Sequence, residues 1–583
     1  MRLEYWAEHA PDRIFLARRD PSGAWNKLTY AEALSRVRSI SEALLRRKLS
    51  ADRPVLILSG NSIEHALLAL SAMYCGILYA PIAPAYSLAT KQHDTLRFLW
   101  NKLRPGLVFA AEGQKYERAL CSVCGEGTEI VVTGSTPESL PATPFEELAV
   151  TAATGRVDDA HKRVGPDTIA KILFTSGSTG QPKGVINTQR MLCSNQEMIR
   201  SVMGFLAEEP PVLCDWLPWN HTFGGNHNFG MALYNGGTLY IDDGKPSPVQ
   251  FEITVRNLRE IATTAYLNVP RGFEMLVTRM RTDSELRQCF YSKLNLLFYA
   301  AAGLRQHVWD ELQEMAFETC GEGIVMMTGL GATESSPAAL FTGAQDAMSG
   351  AVGLPAPGMK LKLLPVGNTL EVRLRGPNIT PGFWQDDTKT RESFDAEGFY
   401  KLGDAVRFLD PENHQKGLVF DGRLDEDFKL SSGTWVRVGP LRARFLTHFG
   451  SWLQDVVFAS PQAEFLCALI FPNVDACRNL CPELDENAPF CQVLKHERVR
   501  SQFQTLLDQF AAQSTGSSTC IVRIILLDHP PSMDAREITA KGSINQKMVL
   551  ENRSEIVREL YDEQASARTI EVTGVTRKSH ESR

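Results

Sequence analysis

The stretch Phe174 to Val185 reads FTSGSTGQPKGV. Hydroxyl side chains stand at Thr175, Ser176, Ser178 and Thr179, glycines at Gly177, Gly180 and Gly184, and a single cation at Lys183. Glycine lets a ligand approach the backbone, and successive amide N–H groups in a turn form a nest that suits phosphate oxygens. Lys183 adds a mobile point charge for a β- or γ-phosphate. The spacing differs from a Walker A loop, in which Lys-Ser/Thr directly follows the second glycine. A flexible Ser/Gly linker is the plainer alternative. Pro182 and the apolar run before Thr175 fix both ends and speak against it.

Such a loop needs rigid elements on either side. PVLILSG (Pro54 to Gly60), ILYAPIA, AKILFTSGSTG, GTLYIDD (Gly237 to Asp243) and LNLLFYAAAGL (Leu294 to Leu304) each read as a buried strand, with helical stretches between them. That alternation predicts an α/β fold with mostly parallel sheets in a large N-terminal domain. Beyond about Lys360 the period shortens. MKLKLLP, TLEVRLRG, YKLGDAVRFL and GLVFDGRL predict antiparallel hairpins, a small β-barrel-like part. The polar stretch after Gln564 is expected to lack order, and no internal repeat is present.

At 583 residues the chain exceeds what one core supports, and 43% hydrophobic residues supply ample core. A net charge of −7 argues against an electrostatic nucleic-acid binder. The 12 cysteines are scattered, and Cys121 and Cys124 alone form a CxxC, a spacing that without a second pair reads as reduced thiols rather than zinc. The N-terminus carries charges throughout and lacks a signal peptide's apolar core. Ala66 to Ala83 is apolar enough to raise the membrane question. Gly76 and Pro81 interrupt it, and it reads as a buried helix from near Asn61 followed by a short strand. A soluble, cytoplasmic protein with no membrane span is expected.

FTSGSTGQPKGV resembles the phosphate-binding signature of the adenylate-forming (acyl-CoA synthetase, AMP-binding) superfamily, and further matches follow in that family's order over nearly the whole chain. TGLGATESSP (Thr328 to Pro337) is similar to the segment carrying the magnesium-binding glutamate, here Glu334 beside Thr333. YKLGDAVRF resembles the segment whose aspartate, here Asp404, binds the ribose hydroxyls. LRGPNITPGFW matches the turn preceding it. FDGRLDEDFKLSSGTWV resembles the hinge segment, implying Arg423 at the ribose and Asp425 at the pivot. The resemblance implies ATP, Mg2+ and coenzyme A as the small molecules used, together with a carboxylic acid.

These residue types also suit the chemistry directly. A carboxylate attacking the α-phosphate of ATP meets another anion, so donors, positive charge and a metal held by a carboxylate are required. Glu334 and Thr333 offer hard oxygens. Asp404 is a bidentate acceptor for two vicinal hydroxyls. Each has a plainer alternative: Glu334 as a helix cap near Thr333, and Asp404 as a turn former.

The family forms an acyl-adenylate and pyrophosphate, then coenzyme A displaces AMP after a small α+β C-terminal domain rotates. Hence domains are expected at 1–424 and 425–565, with a tail from 566 and a hinge at Asp425. Two positions depart from the pattern. The tyrosine that stacks on adenine is replaced by Leu330. In EITAKGSINQK the usual C-terminal lysine position holds Ser543, so Lys541 is expected to serve adenylation, with Lys547 the lesser candidate. TGLGATESSP, FKLSSGTWVRVGPL and ITAKGSINQK together look like feruloyl-CoA synthetases, which implies an aromatic, hydroxycinnamate-like acid. Lys429 falls in the segment that turns toward the site for thioester formation. His221, in the Pro-x-x-His context of LPWNHTFGGNHNFGMALYNGG, is implied beside the carboxylate. Trp219 and Phe223 could stack on a planar ring, and the small residues around Gly303 leave room for one. Fatty acids or a carrier-protein thiol are the alternative substrates, and a non-catalytic nucleotide binder is the third reading. A homodimer is common among such relatives, though no residue here specifies it.

Overall fold

The chain is described by a computed structural model in all residues other than 1, 126, 177–180, 344–347, 349, 368, 460–462, 486, 539–543 and 574–583. It divides into two compact units. The first holds most of the chain up to Phe420, and the second begins at Asp421 and also takes in Gly403–Ala405.

A seven-stranded sheet organises the N-terminal half of the first unit. Val55–Leu58 and Tyr79–Pro81 lie side by side and parallel, as their continuous burial in the sequence requires. The helix between them, Ile63–Tyr74, starts from Ser62, whose hydroxyl caps the His65 N–H. The apolar stretch from Ala66 is therefore a buried helix and strand. Among the described residues no helix is long and apolar enough to cross a membrane. Ile169–Ser176 continues the parallel set and then pairs antiparallel with Pro182–Thr188, the sheet's edge strand.

Val212–Asp215, Thr238–Ile241 and Ile14–Arg19 run parallel in a four-stranded sheet that Trp25–Thr29 completes antiparallel. Ala265–Asn268, Leu296–Tyr299 and Val325–Gly331 form the parallel end of a nine-stranded sheet. Its antiparallel part begins with Ala338–Phe341 and Ala351–Pro355 and continues in the hairpins beyond Lys360, with Lys360–Val366 and Thr369–Arg375 at the edge. The fold is thus mixed α/β with a large N-terminal part and a smaller C-terminal unit.

The second unit has its own core, in which Phe445, Val456, Phe458, Ile470, Phe503 and Phe510 are buried. Its sheet runs Leu453–Ala459, Leu466–Pro472, Ile521–Leu526 and Thr569–Glu571. The last of these corrects the expectation of a disordered tail from 566. Thr569–Glu571 pairs antiparallel with Ile521–Leu526, because Ile570 and Val572 carry enough apolar surface to be buried there at 2% and 8% exposure.

Candidate active site

Hairpin geometry places the first group of residues. Thr175 lies opposite Lys183, and Ser176 opposite Pro182, across the Ile169–Ser176 and Pro182–Thr188 strands. Residues directly opposite in an antiparallel pair share a face, so Thr175 and Lys183 stand together at the end of the hairpin. Gly184 is required by close packing, since a Cβ there would come within 2.8 Å of Ile172. Gly177, Ser178, Thr179 and Gly180, which join the two strands, lie outside the described residues, as does the side chain of Ser176.

Glu334 sits in a 3-10 turn, Thr333–Ser335, at the end of the Val325–Gly331 strand. The turn folds back tightly enough that a Cβ on Gly331 would lie 1.8 Å from the Pro337 carbonyl oxygen. Thr380 ties this turn to the hairpin: its N–H donates to the Glu334 carbonyl at 2.8 Å and its hydroxyl to the Ile186 carbonyl at 2.7 Å. Asn378 donates to the carbonyls of Ser335 at 2.7 Å and Ala338 at 2.9 Å. So LRGPNITPGFW holds Thr333 and Glu334 beside the hairpin strand. Thr333 is buried and Glu334 half-buried. Among the described residues the Glu334 carboxylate has no hydrogen-bonding or ion-pair partner. One such carboxylate is what magnesium asks of a protein when substrate phosphates supply the remaining oxygens.

The segment after Val212–Asp215 is held by Asp215, whose carboxylate accepts the Leu217 N–H at 3.1 Å, and by Asn61, which binds the Leu217 carbonyl at 2.9 Å and the Trp219 N–H at 3.0 Å. His221 Nδ1 accepts the Phe223 N–H at 3.3 Å. A π-helix, Phe223–Asn228, follows. It packs on its own entry segment, so that Cβ atoms on Gly224 and Gly225 would lie 2.2 and 2.3 Å from the Leu217 and Trp219 carbonyl oxygens.

Phe223 meets Phe298 edge-on at 5.9 Å, and His227 stacks on the same Phe298 ring at 5.1 Å. Trp219 turns elsewhere, with its ring contacts to Phe229 at 4.9 Å and His65 at 5.3 Å. The structure thus brings Phe223, but not Trp219, to the aromatic group around Phe298. Gly303 is exposed in the loop beyond Leu296–Tyr299, and open space surrounds the place its Cβ would take.

His227 and Phe298 escaped the sequence reading. The signal was a histidine flanked by Asn226 and Asn228 within an otherwise buried run. His227 Nδ1 lies 3.0 Å from Asn228 Oδ1, while its buried Nε2 meets no hydrogen-bonding group among the described residues. Burial pushes the imidazole down to about 4, so it is neutral at physiological pH.

In the second unit Asp404 and Arg423 are brought together, with Arg423 Nε 3.2 Å from Asp404 Oδ1. Asp404 is buried and the Arg423 side chain half-exposed. Leu424 N–H donates to the Gly403 carbonyl at 2.9 Å, which keeps the two segments in register. Asp425 is exposed in the turn Leu424–Glu426. Just beyond it Asp427 is fixed by Arg437 Nε at 2.6 Å and the Val438 N–H at 2.9 Å. Lys429 is exposed on a short hairpin, its ammonium 5.0 Å from the centre of the Trp435 ring. Lys541 lies outside the described residues. The segment containing it is closed by a bridge between Ile538 and Ile544, and the Asn545 N–H donates to the Glu537 carbonyl at 2.8 Å. Lys547, on the helix Gln546–Asn552, lies 3.8 Å from Glu551.

The family profile described as AMP-binding enzyme matches residues 3–384. Fatty acyl-CoA synthetase B of Dictyostelium discoideum is 23% identical over 78% of this chain and 73% of its own length. 4-Coumarate–CoA ligase-like 9 of Arabidopsis thaliana is 26% identical over 78% of this chain and 75% of its own. Among solved structures, the anthranilate CoA ligase AuaEII in complex with anthranoyl-AMP superposes with a TM-score of 0.71 at 17% identity, covering 95% of this chain and 96% of that one.

Proposed function

The chain belongs to the AMP-binding enzyme family, as an adenylate-forming acyl- or aryl-CoA ligase that uses ATP, magnesium and coenzyme A, and within that activity we propose a hydroxylated aromatic acid of the hydroxycinnamate kind as its substrate. The observation that carries this reading is the neutral, buried His227 stacked on Phe298 with its Nε2 unmatched. A planar ring finds stacking partners in Phe223 and Phe298, and a ring hydroxyl finds an acceptor in Nε2. An aliphatic chain would leave that nitrogen without a partner, at a cost of about 1–3 kcal/mol. The two curated relatives bear names from both substrate classes and so leave the choice to these side chains.

In this reading Thr175, Ser176, Gly177, Ser178, Thr179, Gly180 and Lys183 hold the β- and γ-phosphates. Glu334 with Thr333 would hold magnesium, which when bound offsets phosphate charge. Asp404 accepts from both ribose hydroxyls, and Arg423 braces it. His221 lies beside the acid's carboxylate. A carboxylate oxygen bonds to the α-phosphorus as the bond to pyrophosphate breaks, and Lys541 donates to the oxygens that gain charge. After rotation about Asp425, Lys429 reaches the site. The thiol sulfur of coenzyme A then bonds to the acyl carbon, AMP leaves with the electron pair, and the thiol proton passes to solvent.

The test is thioester formation from ferulate, octanoate and benzoate with ATP, magnesium and coenzyme A, with pyrophosphate recorded for each acid. Ferulate is expected to lead. The His227→Leu variant should lower kcat/KM for ferulate by about tenfold, the worth of one hydrogen bond, and leave unhydroxylated cinnamate unaffected. Octanoate leading in both proteins would sink the aromatic reading. Pyrophosphate without thioester would mean that the acceptor is not coenzyme A. At the ribose, Asp404→Asn is expected to raise the KM for ATP roughly ten- to a hundredfold, through the loss of charge-assisted hydrogen bonds of about 1.5–3 kcal/mol. An unchanged ATP KM would remove Asp404 from the nucleotide site.

A further inference from the structure

Lys171 lies in the middle of the Ile169–Ser176 strand and is 3% exposed. Its register partners are Tyr79 on one side and Asn187 on the other. The Nζ sits 5.8 Å from the centre of the Tyr79 ring and donates to the carbonyl oxygen of Gly225 at 3.2 Å. Among the described residues no carboxylate pairs with it. A lysine this deep without a counter-ion is costly, and burial alone pushes it down to about 7. Methionine or leucine would fill an apolar strand without that penalty. The lysine therefore needs a reason other than packing.

The neighbouring carbonyls of the π-helix supply one. Gln196 Nε2 donates to the Asn226 carbonyl at 2.7 Å and to the His227 carbonyl at 3.2 Å. Asn226 Nδ2 donates to Asn187 Oδ1 at 2.8 Å. The successive carbonyls of Gly225, Asn226 and His227 are thus each taken by a side chain from outside the helix. A π-helix is a rare, strained turn that persists where surroundings enforce it. Lys171 and Asn187 share one register position of the hairpin, on the same face as Thr175 and Lys183. The grip therefore joins the strand that leads into the glycine-rich loop to the helix that begins at Phe223 and follows His221.

We propose that Lys171 is a positioning residue for the acid: by holding Gly225 it fixes the Phe223–Asn228 π-helix, and with it His221, Phe223 and His227, in register with the phosphate-binding hairpin. This rests on the ligase reading of that hairpin and helix. It implies a trade of stability for function. The folded protein disfavours the protonated lysine, so removing the amine should stabilise the fold while loosening the helix.

The experiment compares wild type with Lys171→Met, which keeps side-chain length and removes the donor, and Lys171→Gln, which keeps a donor. Hydrogen exchange of peptides covering 217–236 is expected to quicken on the order of tenfold in Lys171→Met, with peptides over 169–176 unchanged and a thermal midpoint equal to or above wild type. In pyrophosphate release, the KM for the acid should rise on the order of tenfold while that for ATP stays within about twofold, with partial recovery in Lys171→Gln. Unchanged exchange over 217–236 would overturn the proposal. So would a fall in midpoint with both KM values rising together, the mark of a core residue. Failure of Lys171→Met to fold, with normal acid KM in Lys171→Gln, would overturn it as well. The exchange comparison needs no turnover: a wild type that released no pyrophosphate from any acid would sink the ligase reading, and with it the role toward the acid, while exchange would still decide whether Lys171 holds the π-helix.

Discussion

Replacing Lys541 with alanine is expected to slow acyl-adenylate formation by about 10²- to 10³-fold, the usual effect of removing one preorganised donor from a charge-developing centre. Carboxylate and triphosphate are both anionic, and the oxygens around the α-phosphorus gain charge as the new bond forms. In the proposed function Lys183, opposite Thr175 on the hairpin, serves the outer phosphates, which leaves the α-phosphate to another cation. Lys541 is the cation proposed for it, in the segment whose flanking residues Ile538 and Ile544 form a bridge. Thioester formation from preformed acyl-adenylate should stay within a few-fold of wild type, since in the proposed function that step follows rotation about the hinge. Lys547→Ala is the control. Its ammonium stands near Glu551, one turn along the same helix, and little change is expected. If adenylation survives in Lys541→Ala and falls in Lys547→Ala, the role passes to Lys547.

A second large effect is expected at Glu537, next to the Ile538–Ile544 bridge. Glu537 is 3% exposed and accepts Arg553 Nε at 2.8 Å and Nη2 at 2.7 Å, a bidentate pair. It also accepts the Ser532 N–H at 2.9 Å. Arg553 in turn donates to the carbonyls of His529 and Pro530, both at 3.1 Å. Glu537→Gln removes the charge opposite a guanidinium whose side chain is 11% exposed, and breaking a buried pair from one side costs about 3–5 kcal/mol. Calorimetry of the full chain should show the transition of the second unit lowered by several degrees, with that of the first unit unmoved. An unmoved second transition would show the pair to be dispensable.

The same pair makes a pH prediction. Burial works to raise the Glu537 pKa, but the hydrogen bonds from Arg553 and Ser532 outweigh it and the carboxyl lies below its ordinary 4.5. A depressed folded pKa means stabilisation that is fully present above the unfolded value and is lost as pH falls through the folded one. The gap between wild type and Glu537→Gln should be widest near neutrality and should narrow as pH falls below the ordinary glutamate value of 4.5.

Much of the site was legible because its chemistry is local in the chain. The Thr333-Glu334 turn and the Gly403-Asp404 pair, at a positive-φ glycine within the Tyr400–Phe408 strand, are each defined by neighbours in sequence and so could be read from it. The strands flanking them announced themselves as short apolar runs, and Val55–Leu58, Tyr79–Pro81, Ile169–Ser176 and Leu296–Tyr299 all form where those runs lie. The tail was misread because its low average hydropathy hid Ile570 and Val572, whose burial depends on a partner strand at Ile521–Leu526.

The order of the motifs, from Thr175 to Arg423, was enough by resemblance to place the chain among adenylate-forming enzymes, the family whose profile matches residues 3–384. Tertiary structure alone decided which side chains are dry. Lys171 and His227 look like ordinary polar residues in the sequence. The sheet under one and Phe298 against the other remove them from water, and that shifts their protonation. Burial is a property of contacts between segments far apart in the chain, so no local pattern carries it.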